Sequence, residues 1–271
     1  MSKRYFISFA DSRMSAALRR IRRQAEAMQF FDGVQTLTER DLDADFCRRH
    51  ALLLKRGVRG FGYWIWKPQI LRQSLANMAE GDELYYLDAG CHLNPRGRAR
   101  MLDYARELAA NPLGLAAFQL GDDCSEKAFC KGDLLERLGV LECPDILDRG
   151  QLCATHIFCV KRAGVIQLME QWSKLADEVH LIDDSPSIHP NFPEFVEHRH
   201  DQSIFSLLGK LHGALALPGN ETWPAGNTRN WKLLENYPIW DKRDLGLSMH
   251  SLERLMRKLR QLSARLLHRK S

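Results

Sequence analysis

RGFGYWIWKPQILRQSLANMAEGDELYYLDAGCHLN, residues 59–94, is the segment around which the predicted fold is built. It opens with a loop rich in glycine and aromatic residues, which ends at Lys67. Pro68 follows at once, and proline is well tolerated in the first turn of a helix. Apolar residues at helical spacing then predict a helix over residues 69–78. The first half of the segment therefore predicts an aromatic loop that leads into a buried helix.

The second half of the segment predicts a buried strand that ends in an acid. Residues 83–87 form a short apolar and aromatic run, and Asp88 follows it directly, before Ala89 and Gly90. Open α/β sheets place the acids of a ligand crevice at the carboxyl ends of their strands. An ordinary strand and turn is the alternative interpretation. The aromatic loop with its lysine, close by in sequence, favours a binding site.

Predicted strands and helices alternate through the rest of the chain. The other predicted strands cover residues 5–10, 34–37, 113–120 and 154–160. The other predicted helices cover residues 14–30, 41–56, 95–110, 126–138, 162–179 and 204–211, and residues 180–195 are predicted to form a long loop. This alternation predicts an α/β fold with a mostly parallel sheet and helices on both faces, in one domain over residues 1–246.

Composition places the chain among ordinary globular proteins. It has 271 residues, 45% hydrophobic and 27% charged, with a formal net charge of +5. No run of about 18 apolar residues predicts a membrane span, and the first residues do not resemble a secretory signal. The seven cysteines include no C-x-x-C pair, which argues against a disulfide framework and a zinc ribbon. We therefore expect reduced thiols in a cytoplasmic protein.

A polar cluster precedes the last predicted helix of the domain. It consists of His198, Arg199, His200, Asp201 and Gln202. Such residues are costly to bury unless they pair with one another or face a cleft. A simple helix start capped by the acid or the amide is the alternative. Together with the acid at the end of the earlier strand, the cluster favours a shared cleft.

Three motifs taken together resemble a family of bacterial glycosyltransferases with the GT-A fold, found with surface-polysaccharide assembly. They are GYWIWKP at residues 62–68, DELYYLDAGC at 82–91 and HRHDQSIFSLL at 198–208, with PIWDKR at 238–243 as a late match. The resemblance implies a GT-A-like fold and transfer of a sugar from a nucleotide-diphosphate donor. The implied acceptor is a hydroxyl of a cell-surface glycan, with a lipid-linked glycan expected.

The resemblance also implies roles for individual residues. Asp88 would bind the donor and is also the candidate metal ligand. Asp201 would be the carboxylate near the reacting carbon, as general base or positioning group. The pair Asp201 and Gln202 resembles that of retaining enzymes, so a retaining, hexosyltransferase-type reaction is favoured. The implied substrate-binding residues are Trp64, Trp66, Lys67, Lys131, Arg199, His200 and Gln202.

The implied metal site departs from the family pattern. Such enzymes normally carry Asp-x-Asp, whereas this sequence has glycine at the position of the second acid. Mg²⁺ and Mn²⁺ need several oxygen ligands, so one carboxylate is a weak site. Either a distant acid completes the site, or cations replace the metal. The candidate acids are Asp201, Asp122 and Asp123, and the candidate cations are Lys67, Lys131 and Arg199.

Two other classes of protein are open to such a sequence. A basic nucleic-acid-binding protein would explain the arginines near both ends, but no nucleic-acid-reading motif is visible and the acid at the strand end would have no role. A nucleotidyltransferase on the same fold would need a glycine-rich phosphate loop near the first strand, and residues 9–13 contain no glycine. We therefore expect nucleotide sugars and glycans as partners and no nucleic acid.

A basic amphipathic helix is predicted at residues 249–270, within a terminal segment over residues 247–271. Leucines recur there at helical spacing, and arginines and lysines fill much of the remainder. The helix could pack its leucines on the domain. It could also anchor the protein as a peripheral protein on the anionic inner face of the cytoplasmic membrane, where a lipid-linked acceptor would lie.

Sedimentation with liposomes distinguishes these two roles of the terminal helix. Each basic residue near an anionic surface adds about 1 kcal/mol to binding. We expect the full chain to sediment with anionic vesicles and a chain that stops after Ser248 to stay in the supernatant. Equal sedimentation of both chains would exclude the anchor.

Overall fold

The computed structural model describes residues 2–55, 57–224, 226 and 228–244 of the chain. Two predictions lie outside the described residues: the basic helix over residues 249–270 and the domain boundary at residue 246.

Six strands form one sheet in the order β2-β1-β3-β6-β5-β7. The strands of the chain are β1 (Arg4–Phe9), β2 (Gly33–Leu37), β3 (Glu83–Leu87), β4 (His92–Leu93), β5 (Leu115–Gln119), β6 (His156–Val160), β7 (Leu215–Pro218) and β8 (Ile239–Trp240). Five of the six strands are parallel to one another, and β6 runs antiparallel to both β3 and β5. The predicted α/β class with a mostly parallel sheet is confirmed.

Helices cover both faces of this sheet. They are α1 (Ser15–Ala27), α2 (Ala44–Arg49), α3 (Gly60–Tyr63), α4 (Trp66–Ala76), α5 (Arg98–Ala110), α6 (Glu126–Phe129), α7 (Gly132–Arg137), α8 (Pro144–Leu147), α9 (Ala163–Asp177) and α10 (Asp201–Leu211). Side chains of β3 alternate between two apolar cores: Leu84 and Tyr86 join the core that includes α4, α9 and α10, whereas Tyr85 and Leu87 join the core on α1 and α5. The central strand is therefore buried on both faces, as parallel sheets require.

A second, two-stranded sheet joins the chain after β3 to the end of the described chain. His92 pairs with Trp240 and Leu93 with Ile239, antiparallel. Gly97 permits this close approach, because a Cβ atom there would lie 2.2 Å from the backbone nitrogen of Pro238. We call residues 241–244, which follow β8, the strap. The second sheet delivers the strap to the carboxyl end of β3.

Two predicted helices differ from those observed. The predicted helix over residues 126–138 is interrupted, because Cys130 and Lys131 adopt extended backbone conformations between α6 and α7. The break allows the loop over residues 180–195 to pack there: the Gly132 amide donates to Asn191 Oδ1 at 2.7 Å. The predicted helix over residues 41–56 is regular only over α2. These boundaries are set by long-range packing, which local periodicity does not encode.

All seven cysteines are free thiols, and four of them are buried. Within the part of the chain that is described, no helix combines the length and apolar character needed to cross a bilayer.

Candidate active site

Asp88 lies just beyond the carboxyl end of the central strand β3. Its backbone amide donates to the carbonyl oxygen of Thr155 at 2.9 Å, which ties it to the segment before β6. The hydroxyl of Tyr86 donates to its carboxylate. Its side chain is 32% exposed although the strand before it is fully buried. The acid is therefore fixed by the sheet and still open to solvent.

Lys67 joins this acid to a second one from a distant part of the chain. Its Nζ lies 3.3 Å from Asp88 Oδ1 and 2.7 Å from Asp201 Oδ2. The same ammonium donates to the carbonyl oxygen of Ala154 at 3.1 Å. Lys67 and Asp201 are both almost completely buried. The structure thus brings two of the predicted acids together around one buried cation.

Burial and charge act in opposite directions on this group. Burial lowers the pKa of Lys67, but the charges of Asp201 and Asp88 outweigh it, and the net shift of that pKa is upward. The pKa of Asp201 is raised, because burial outweighs the stabilising charge of Lys67. Asp201 is also the first residue of α10, where the positive end of the helix dipole favours a carboxylate. The lysine is therefore a fixed ammonium, paired with one sealed and one open carboxylate.

The short segment α3, in the aromatic loop before α4, is a left-handed turn and not a regular right-handed helix. All five residues from Gly60 to Trp64 have positive φ angles between 52° and 94°. The Trp66 indole NH closes the turn by donating to the Gly60 carbonyl oxygen at 2.9 Å. A left-handed conformation costs roughly 1 kcal/mol or more for each non-glycine residue, so packing must hold it in place.

Two of the predicted substrate-binding residues, Trp66 and His200, are buried against this turn and do not lie on an open surface. Trp66 is 5% exposed and stacks on Phe9, with 4.0 Å between ring centroids. His200 is 2% exposed, its ring lies against Tyr63 and Trp64, and its Nδ1 lies 2.7 Å from the Ile182 carbonyl oxygen. Neither ring has an open face for a ligand. Direct contact of Trp66 or His200 with substrate stays a prediction. The burial of both rings argues against such a contact.

Lys131 is likewise engaged inside the protein. Its Nζ donates to the carbonyl oxygen of His180 at 2.8 Å, to Asp183 Oδ1 at 3.1 Å and to Ser185 Oγ at 3.2 Å. It is 2% exposed and holds the start of the long loop. Its charge is therefore compensated, away from Lys67 and its two acids.

Arg199 and Gln202 lie at the edge of the site. The Arg199 guanidinium lies 3.4 Å from the ring centroid of Phe129, and its nearest carboxylate oxygen in the described structure, on Glu197, is 4.0 Å from Nε. Gln202 donates through Nε2 to Gln151 Oε1 at 2.9 Å. Arg199 keeps a largely uncompensated charge, whereas the Gln202 amide is turned toward another side chain.

A cavity of about 470 Å³ lies beside the site rather than on it. It is lined by Lys131 and His198 together with the long loop, and none of Asp88, Lys67 and Asp201 lines it. Ligand sites often coincide with large cavities. Lys67 and its two acids belong to the three sequence motifs and lie at the end of the central strand, so we place the candidate active site there.

A group of three side chains that sequence reasoning missed lies beneath the strand end. Cys91, His156 and Asp241 offer ligand atoms within 4.8 Å of one another, close enough to consider a metal ion. The internal distances are those of hydrogen bonds: His156 Nε2 lies 2.6 Å from Asp241 Oδ1, and the Cys91 thiol donates to the same oxygen at 3.2 Å. Tetrahedral ligands about 2.0 Å from a zinc ion would stand roughly 3.3 Å apart, so the 2.6 Å distance between His156 and Asp241 is too short for two zinc ligands. The group therefore fits a hydrogen-bonded network that anchors the strap.

The residues around Asp88 do not fit a hard divalent cation either. Gly90 replaces the second acid, and a Cβ atom there would lie 3.3 Å from the Cα of Arg243 in the strap. Asp201, a candidate second ligand, is occupied by Lys67. Asp122 accepts from the backbone amide of Gly150, in a turn after β5. The position between Asp88 and Asp201 is filled by an ammonium.

The strap itself is held against the Asp88 turn. The Asp244 amide donates to the Gly90 carbonyl oxygen at 2.9 Å. Arg20 donates to the carbonyl oxygens of Ala89 and Asp244, at 2.7 and 2.9 Å. This arrangement places Arg243, which the sequence motifs did not single out, beside Gly90. Its only sequence signal is the late match over residues 238–243.

Comparisons with known proteins give similarity of structure only. No protein-family model and no curated protein sequence matches this chain. The structure is similar to mouse xyloside xylosyltransferase 1, with a TM-score of 0.45 and 11% identity over 89% of this chain and 97% of that one. It is similar to a glycosyltransferase involved in glycosylation of the major capsid of PBCV-1, with a TM-score of 0.46 and 9% identity over 88% and 93%. It is also similar to the galactosyltransferase LgtC solved with donor and acceptor sugar analogues, with a TM-score of 0.44 and 13% identity over 87% and 86%.

Replacing the central lysine is expected to destabilise the protein strongly. Lys67→Met keeps the side-chain volume but leaves two carboxylates without their cation, and removing one partner of a buried pair costs about 3–5 kcal/mol. Adding Asp201→Asn should recover part of this loss, because the uncompensated buried charge disappears. Urea denaturation gives the free energies of unfolding. Lys174→Met, at an exposed lysine, is the control, and a loss no larger than that of the control would contradict the role assigned to Lys67.

His198 is expected to make the stability depend on pH. It donates through Nε2 to the Leu181 carbonyl oxygen at 2.9 Å and accepts at Nδ1 from the Lys131 amide, so the folded protein needs the neutral ring. Burial, together with the charges of His200 and Lys131, lowers the pKa of His198 from 6.5 to about 3. Between these values the unfolded chain binds a proton that the folded chain does not. Stability should therefore fall as pH falls below 6.5, by roughly 1.4 kcal/mol per pH unit from this residue.

Urea denaturation at pH 7 and pH 5 checks this expectation. His198→Gln should be less stable than wild type at pH 7 but should lose less free energy of unfolding on acidification. His212→Gln, at an exposed histidine, should behave like wild type. An identical pH dependence in wild type and His198→Gln would contradict the assignment.

Proposed function

We propose that this protein is a glycosyltransferase that moves a sugar from a nucleotide-diphosphate donor to a hydroxyl of an acceptor glycan. The observation that carries the proposal is the meeting of Asp88 and Asp201 on Lys67, at the carboxyl end of the central strand. The same two acids and the lysine belong to the three motifs that resemble the GT-A family. The α/β sheet with its open strand end is the setting in which such chemistry occurs.

Exposure divides the roles of the two acids. Glycosyl transfer requires stabilisation of a departing nucleoside diphosphate and of an oxocarbenium-like centre, and help for the acceptor hydroxyl. Asp88, which is 32% exposed, is the acid that can touch the donor directly. Asp201 is 5% exposed and contacts Lys67, which in turn contacts the exposed Asp88. It therefore acts as a positioning residue in this arrangement. It keeps the ammonium charged, and the ammonium in turn orients the open carboxylate.

The finer features of the reaction follow from the resemblance. A retaining reaction of the hexosyltransferase type is expected from the pair Asp201 and Gln202. A lipid-linked surface glycan is the expected acceptor, reached from the inner face of the cytoplasmic membrane through the basic helix over residues 249–270. That helix lies outside the described residues, so its contribution rests on the sequence pattern.

A donor screen with variants tests the proposed function. UDP-, GDP-, CMP- and dTDP-sugars are added with and without Mn²⁺, and thermal stabilisation and donor turnover are measured. At least one donor should stabilise wild type and be turned over. Asp88→Asn should reduce turnover by about 10²–10⁴-fold, the range for a positioned acid or base, with little loss of thermal stability.

The matched control is Asp145→Asn, at an exposed acid for which the described structure gives no ion pair. It should retain wild-type turnover. Asp201→Asn should reduce turnover while retaining donor binding. Wild-type turnover by folded Asp88→Asn would show that this acid does not serve the reaction, and stabilisation by no nucleotide sugar would refute the proposed function.

A further inference from the structure

Of the cations that sequence reasoning selected to replace a metal, two are already compensated. Lys67 lies between two carboxylates, and Lys131 is held by Asp183 and the long loop. Neither can neutralise a new anion without giving up a buried partner. We propose that Arg199 and Arg243 bind the diphosphate of the donor and that the site needs no divalent metal ion. This inference rests on the proposed function.

Arg243 lies against the turn that carries Asp88, and Arg199 lies just before the helix that begins at Asp201. Gly90, two residues after the acid, lies against the backbone of Arg243, and Asp244 donates to the Gly90 carbonyl oxygen at 2.9 Å. Arg199 lies two residues before Asp201, and its terminal nitrogen is 3.6 Å from Cys124 Sγ. The two side chains thus approach from the strap and from the start of α10.

The positive charges of Arg199 and Arg243 both act on the thiol of Cys153. Burial raises its pKa, and the positive charges of Arg199 and Arg243 oppose that rise. Cys153 directly precedes Ala154, whose carbonyl oxygen binds Lys67, and Thr155, whose carbonyl oxygen binds the Asp88 amide. Both arginines therefore act on a segment whose next two residues are hydrogen-bonded to Lys67 and Asp88.

Both guanidinium groups are available for an anion. Arg243 is exposed and has no ion pair within the described ranges, and its Cζ lies 5.7 Å from the ring centroid of Trp223. Arg199 stacks on Phe129 at 3.4 Å. An aromatic ring covers one face of a guanidinium and leaves its N–H edges free, and those edges match phosphate oxygens in a bidentate manner.

A metal ion would meet unfavourable surroundings at the same place. The carboxylate of Asp88, which it would need as a ligand, already pairs with the Lys67 ammonium at 3.3 Å. The strap fills the space next to Gly90, where a second acid would stand. Fixed positive charges supply the stabilisation that a leaving diphosphate needs without any further ligand.

Isothermal titration calorimetry of the full chain tests the inference. The probes are UDP, GDP, CDP and dTDP, each titrated in EDTA and in MnCl₂. We expect at least one to bind in EDTA, with an affinity that Mn²⁺ changes less than about threefold. Arg199→Ala and Arg243→Ala should each weaken binding roughly tenfold to a hundredfold, as for loss of charge-assisted hydrogen bonds, and Arg243→Lys should recover part of the loss.

Arg106→Ala, at an exposed arginine on α5, is the matched control and should bind as wild type does. Binding that occurs only with Mn²⁺, or wild-type affinity in both arginine variants, would overturn the inference and leave the proposed function standing. Failure of every diphosphate to bind in either condition, together with no stabilisation by nucleotide sugars, would overturn both.

Discussion

The ammonium of Lys67 is the constraint on which the rest of the site depends. A buried charge is tolerated only when opposite charges and hydrogen-bond acceptors surround it. Its partners come from three separate parts of the fold: Asp88 after β3, Asp201 at the start of α10, and Ala154 before β6. These three elements must therefore meet at one end of the sheet for α4 to pack at all. Stability and the geometry of the site have the same physical origin.

The two carboxylates that pair with Lys67 differ in their exposure to solvent. One carboxylate is sealed beneath the aromatic turn, and the other faces solvent. Because the lysine is fully used by these acids, positive charge for an incoming anion must come from elsewhere. Arg199 and Arg243 are the cations that we propose for this role, and among the described residues neither has a carboxylate oxygen closer than 4.0 Å.

Cys91, His156 and Asp241, the three side chains close enough to consider a metal ion, form a hydrogen-bonded network instead. Asp241 accepts hydrogen bonds from His156 and Cys91, on the central sheet and the turn after it. The pKa of Asp241 is lowered, because these partners, His156 above all, outweigh the effect of burial. The carboxylate therefore stays ionised and holds the strap against Gly90. A closed network of this kind positions Arg243 without any ion.

Periodicity in the sequence was enough to locate most of the secondary structure. The apolar runs at β1, β3 and β6 and the helical spacing in α1, α5 and α9 depend on local patterns, and these elements lie where predicted to within a few residues. The acid at the end of β3 was visible because a strand end follows from the same pattern. The helix break at Cys130 was not visible, because the loop over residues 180–195, distant in sequence, packs against it.

Local sequence pattern was enough to predict an α/β chain with an open strand end, an acid on it, and a second acid at a helix start far downstream. Which of these groups touch depends on tertiary packing. It assigned Lys67 to both acids, Lys131 to the long loop, Trp66 to the core, and Arg243 to the edge of the site. The physical reason is that side-chain pattern records whether a residue is buried or exposed, whereas the partner of a buried charge is set by how separate elements pack.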